Sequence, residues 1–140
     1  MNCHVYFNWS FLVAVFLVGY VFTQDINEIN QKFLQNVGCI AKSKNQTLCD
    51  EYLKECNEEL PKTLLDSYNN CLNALFANDE NECTDDQELY YSDEDREELN
   101  ECIFDHIDCL CRSDLQQLAV VRKCAEDLAK EAGCAVSESG

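Results

Sequence analysis

Eleven cysteines in 140 residues constrain this chain more than any other feature. At that density a chain of single-domain length either folds around disulfides in an oxidising compartment or uses its thiols for metal binding or redox chemistry elsewhere. The N-terminus decides between them. Residues 11–22 read Phe-Leu-Val-Ala-Val-Phe-Leu-Val-Gly-Tyr-Val-Phe, an uncharged apolar run of 12. That length suits the core of a signal peptide, whereas a membrane span needs about 20 apolar residues. Val21 and Thr23 are small enough for the positions that guide cleavage, which therefore falls near Thr23 or Gln24. The expected organisation is a signal peptide over 1–23 and one disulfide-stabilised domain over 24–140, with no membrane span after cleavage. Removal of Cys3 leaves Cys39, Cys49, Cys56, Cys71, Cys83, Cys102, Cys109, Cys111, Cys124 and Cys134. Ten is an even number, enough for five bridges, and the localisation that follows is secreted and extracellular.

Five segments of this domain show helical spacing and almost none alternates like a strand, so the predicted class is all-α, a disulfide-rich bundle of about five helices. Asp25 and Glu28 open the first, Ile29, Phe33 and Val37 form its stripe, and Gly38 reads as its stop. Thr47 caps a second carrying Cys49, Tyr52, Leu53, Cys56 and Leu60. Pro61 suits the first turn of a third, with Leu64, Leu65, Tyr68, Cys71, Leu72 and Leu75 as the apolar face. Ser92 with Asp95 opens a fourth that turns Leu99, Cys102, Ile103, His106, Ile107 and Leu110 inward. Ser113 with Gln116 opens a fifth, carrying Leu115, Leu118, Val121, Cys124, Ala125 and Leu128, and Gly133 ends it.

Laid over each other at an offset of 53, residues 49–83 and 102–134 read as a duplicated helical hairpin. Cys49, Cys56, Cys71 and Cys83 are separated by 6, 14 and 11 residues; Cys102, Cys109, Cys124 and Cys134 by 6, 14 and 9. A gap of six sets two cysteines on one helix face, two turns apart. The pairing this suggests, one among several, is concentric within each half: Cys49 with Cys83, Cys56 with Cys71, Cys102 with Cys134, and Cys109 with Cys124. Cys39 and Cys111 would then join the halves.

Charge narrows the partners. With 27 Asp and Glu against 10 Lys and Arg, the formal charge of −17 opposes binding to nucleic acid or to an anionic membrane. Residues 79–101 hold twelve of the carboxylates and a single base, Arg96. One reading is a solvated loop running into a helix whose first turn favours negative charge. Another makes Asp85, Asp86, Glu88, Asp93, Glu94 and Asp95 a strip that binds a basic extracellular protein. Tyr90 and Tyr91 lie between Glu88 and Asp93, an acidic context in which secreted tyrosines are sulfated. No calcium-loop motif organises the carboxylates. Asn45-Gln46-Thr47 is an N-glycosylation sequon.

His106 is the one histidine left after cleavage, in the run Asp105-His106-Ile107-Asp108-Cys109-Leu110-Cys111. With Cys109 and Cys111 it has ligand types that suit zinc, but an exported chain pairs such thiols instead. The His-x-Asp-Cys order is faintly similar to the active-site helix of secreted phospholipases A2. Ile107 stands where that family has Asp, and no Gly-rich calcium loop lies upstream, so the resemblance carries no activity with it. No serine nucleophile or phosphate-binding loop is legible either. The chain is therefore expected not to be an enzyme and to need no cofactor or metal.

In type, the signal peptide, the ten cysteines and the helical pattern resemble the small cysteine-rich helical proteins of arthropod venom and saliva. That resemblance implies a non-catalytic, toxin-like effector acting on an extracellular target. The alternative is a carrier of a small apolar ligand, since the chain is broadly similar in size and class to insect odorant-binding proteins. Their Cys-x3-Cys and Cys-x8-Cys pairs are absent here.

Overall fold

The computed structural model describes residues 28–107 and 109–134. The signal peptide, its cleavage site and Cys3 lie outside the described residues. The chain divides into two compact units, Met1–Lys32 and Phe33–Gly140. Of the first, the described residues are helical and carry a Lys32–Glu28 ion pair one turn apart.

The second unit is all-α, and no strand occurs among the described residues. The helices are α1 (28–41, of which 33–41 belong to this unit), α2 (Gln46–Glu51), α3 (Lys62–Phe76), α4 (Asp93–Asp105) and α5 (Arg112–Glu131). Between α2 and α3 the chain widens into a π-helical turn, Tyr52–Cys56, and then tightens into a 3₁₀ turn, Asn57–Glu59. That irregular stretch keeps both Tyr52 and Cys56 buried. Helix α3 packs mainly on α4, and α5 packs on the irregular turns. Ile40, Cys49, Tyr52, Tyr68, Leu72, Leu89, Leu99 and Leu128 belong to one buried cluster that draws on every helix.

Local chemistry explains the helix ends. Ser92 Oγ accepts from the Asp95 N–H at 3.1 Å and caps α4 as expected. Pro61 directly precedes α3, where its missing N–H costs nothing. Gly133, at φ 84°, follows α5 in the left-handed conformation that suits glycine. Three expectations are corrected. Gly38 does not stop α1, which continues to residue 41; a Cβ there would stand 3.3 Å from Asp93 Oδ1 and 3.7 Å from Arg96 Nε, so its smallness serves a close approach. Thr47 does not cap α2: Asn45 does, its Oδ1 accepting the Thr47 N–H at 3.1 Å. Helix α5 begins at Arg112 rather than at Ser113 because Asp114 Oδ2 accepts the Cys111 N–H at 3.0 Å.

The bridges are Cys39–Cys134, Cys49–Cys83, Cys56–Cys124 and Cys71–Cys102. Of the concentric scheme, Cys49–Cys83 stands. The other pairs are overturned, because helix packing rather than chain proximity chooses partners: α3 lies on α4 and brings Cys71 to Cys102, while the π turn lies on α5 and brings Cys56 to Cys124. Cys109 and Cys111 take no part in these bridges. Three of the four therefore cross from the first proposed repeat or its flank to the second.

Candidate functional site

The segment between α3 and α4, residues 77–92, carries the start of the acidic strip and is held in place at many points. Helix α3 ends with Ala77 at φ 54°, and Asn78, Asn81, Tyr90 and Tyr91 also sit at positive φ. Left-handed backbone is unfavourable for residues with a Cβ, so contacts must hold it in place. They are plentiful. Cys83 is bridged to Cys49, and its N–H donates to Gln46 Oε1 at 2.9 Å. Asn81 donates from Nδ2 to the Glu88 carbonyl at 3.0 Å. Leu89 and Tyr90 are buried in the core.

Arg96, 3% exposed, is the central cation. Its Nη1 donates to the Leu89 carbonyl at 2.7 Å, and its Nη2 to Glu88 Oε2 at 2.9 Å and Asp93 Oδ1 at 2.5 Å. A buried guanidinium is tolerable only when its donors are met in this way. Lys42 also bonds Asp93, from α1's side, and hydrogen bonds from Lys42 and Arg96 hold the Asp93 carboxyl below its ordinary pKa. Lys44 pairs with Asp85 at 3.1 Å.

The two consecutive left-handed residues send neighbouring rings opposite ways. Tyr90 turns inward, its hydroxyl 2.9 Å from that of Tyr68, which in turn donates to Glu80 Oε1 at 2.8 Å. Burial pushes the Tyr52, Tyr68 and Tyr90 hydroxyls far above the ordinary tyrosine value. Tyr91 turns outward, 39% exposed, against Phe76 at a ring-centroid distance of 5.2 Å. Its hydroxyl donates to Asp79 Oδ2 at 2.8 Å, which raises its pKa and helps lower that of Asp79.

The six strip residues thus separate. Glu88 and Asp93 converge on Arg96, Asp85 meets Lys44, and Asp95 accepts from Ser92 Oγ at 2.5 Å. Asp86 and Glu94 face solvent. The strip continues beyond those six: Glu97, Glu98 and Glu101 follow Glu94 at helical spacing, and all four are exposed, forming the outer face of α4. The signal for that face was present in the spacing, and the signal for Arg96 was a lone base among twelve carboxylates.

Two other candidates are also resolved. His106 is exposed at the end of α4, not inward, with Nδ1 2.7 Å from the Cys102 carbonyl. It lies near Cys71 and Cys102, whose sulfurs are bonded to each other, which leaves that cluster no thiolate to bind an ion. A groove of about 550 Å³ runs along the end of α3, lined by Leu75, Phe76, Tyr91, Asn73 and Asp95 among others. It is open and partly polar, unlike the enclosed apolar cavity a small-ligand carrier needs. Among the described residues no helix is long and apolar enough to cross a membrane.

These features define a class: an all-α domain framed by disulfides, with a rigidly pinned acidic surface. Within it, a family model described as Hi1a-like, U10-hexatoxin-Hi1a, matches residues 27–135, and the chain belongs to this family of spider venom toxins. No curated protein and no solved structure matches it.

Proposed function

We propose that this chain is a secreted, non-catalytic venom effector that binds a basic extracellular protein through its acidic surface. Membership of a toxin family carries the reading at its coarser level. Its finer part rests on the exposed outer face of α4, where Glu94, Glu97, Glu98 and Glu101 stand together on a helix anchored by Arg96. Like charges at three- and four-residue spacing repel one another by a few tenths of a kcal/mol per pair, and a cationic partner relieves that repulsion. Such a surface acts mainly on the rate of encounter, so association slows as salt rises. Replacing Glu94, Glu97, Glu98 and Glu101 together by Gln removes the face without touching the core. Binding to a basic target should then lose its salt dependence, measured as association rate against ionic strength; an unchanged rate and unchanged salt slope would exclude this face as the contact.

Two modifications belong to the same reading. Asn45 is exposed, and a glycan on its Nδ2 would leave the capping Oδ1 in place. Sulfation narrows to Tyr91, since Tyr90 is buried, and a sulfate there would exchange the bond to Asp79 for repulsion. Intact mass of the secreted protein tests both.

A further inference from the structure

Cys109 and Cys111 stand either side of Leu110 in the short connection from α4 to α5, both exposed and both outside the four bridges. Cys111 is fixed at the start of α5, its N–H bound to Asp114 and its Sγ 2.9 Å from Ser113 Oγ. A chain that closes four bridges matures where thiols are oxidised. The eight framework cysteines are already engaged with one another. Residues two apart have Cα atoms no farther than about 7 Å from each other, and a disulfide needs about 4.4–6.8 Å, so a slight bend at Leu110 suffices.

We infer that Cys109 and Cys111 close a fifth bridge with one another, and that it is the labile one, open to exchange with external thiols while the other four remain shut. The oxidant is the active-site disulfide of a thiol–disulfide oxidoreductase of the secretory pathway. The Cys109 thiolate attacks one carrier sulfur and makes a mixed disulfide; the Cys111 thiolate then attacks the Cys109 sulfur and expels the carrier. The carrier leaves as a dithiol, having gained two electrons, and the two protons lost by the cysteines end on its sulfurs. Two molecules of a small thiol such as glutathione reverse the process. Lability follows from placement. The ring spans three residues, so it restrains the unfolded chain far less than loops with separations of 31 to 95 residues do. Cys109 and Cys111 are both exposed, whereas three framework bridges each contain a cysteine at most 1% exposed and the fourth joins the half-buried Cys39 and Cys134.

The test uses the full chain expressed through a secretory pathway, denatured in maleimide without reductant, then reduced, alkylated and cut with trypsin. The peptide covering residues 97–112 should carry no maleimide on Cys109 or Cys111. Maleimide on both, or a disulfide-linked dimer on a non-reducing gel, would overturn the bridge. In Cys109→Ser, one maleimide should appear on Cys111 in a chain of unchanged helical circular dichroism; an unlabelled Cys111 in a monomer would mean that its partner lies elsewhere. Titrating the native protein with glutathione should expose two thiols per chain, located at Cys109 and Cys111 and not at Cys102 of the same peptide, before any loss of helicity. Framework cysteines labelled at the same glutathione concentration would refute the claim of lability.

Discussion

The two connections that flank α4 resemble each other in composition and differ in almost everything else. Residues 77–92 join α3 to α4 and residues 106–111 join α4 to α5; both contain acids, apolar residues and cysteine. The first buries Cys83, Leu89 and Tyr90, is bridged to α2, and is held by a guanidinium. In the second, His106, Cys109 and Cys111 are exposed, and none of its cysteines enters the framework. A loop becomes rigid, then, when its apolar side chains reach a core and a buried cation collects its carbonyls and carboxylates. Acidity is compatible with either outcome.

That contrast breaks most visibly at Arg96. Arg96→Ala leaves Glu88 and Asp93 facing each other and the Leu89 carbonyl without its donor. Removing one partner of a buried charged cluster costs roughly 3–5 kcal/mol, with the lower end expected here because both carboxylates reach solvent. Urea denaturation measures it, and a loss under about 1 kcal/mol would mean that the loop is not held by this group. Leu89→Ala should cost about 2–4 kcal/mol from a site with no exposure, while Leu110→Ala, half-buried in the other connection, should cost well under half as much.

Alkali distinguishes the regions by another route. Because the fold raises the pKa values of Tyr52, Tyr68 and Tyr90, the protonated hydroxyls belong to the native state. Their contribution to stability is complete below the unfolded value of about 10 and disappears as pH rises from there toward the folded values. Tyrosinate absorbance should stay low through pH ~10 and then climb steeply together with loss of helicity. A gradual titration centred on the ordinary value would show the rings to be accessible. A small effect is expected from Cys109→Ser with Cys111→Ser, which should cost no more than about 1.5 kcal/mol, since a three-residue ring restrains the unfolded chain little. A larger loss would make the second connection a part of the frame.

Features written in local sequence were legible: the Ser92 cap, Pro61 before α3, Gly133 after α5, and the stripe from Leu64 to Leu72. Features decided by distant neighbours were not. Gly38 has the sequence appearance of a helix stop, and only the approach of Asp93 and Arg96 from α4 gives it another purpose. The cysteine spacings suggested two self-contained hairpins, but helix packing across the boundary between them set three of the four pairings. Likewise Tyr90 and Tyr91 have nearly the same sequence context, and their separation into a core ring and a surface ring comes from a backbone conformation that spacing does not encode. At the candidate site the carboxylates were visible as a group, while their division between internal ion pairs and an outward helix face depended on where Arg96, Lys42 and Lys44 came to rest.

The Cys39–Cys134 bridge also bears on how such a protein survives among proteases. It encloses every peptide bond between those residues, so a single cut anywhere in that span releases no fragment. Across residues 77–92 two further bridges, Cys56–Cys124 and Cys71–Cys102, run in parallel with it. A nick in the acidic loop would leave two pieces still joined by three covalent links if it fell after Cys83 and by four if it fell before, where Cys49–Cys83 also spans the cut, and digestion would have to cut repeatedly before the acidic surface came apart.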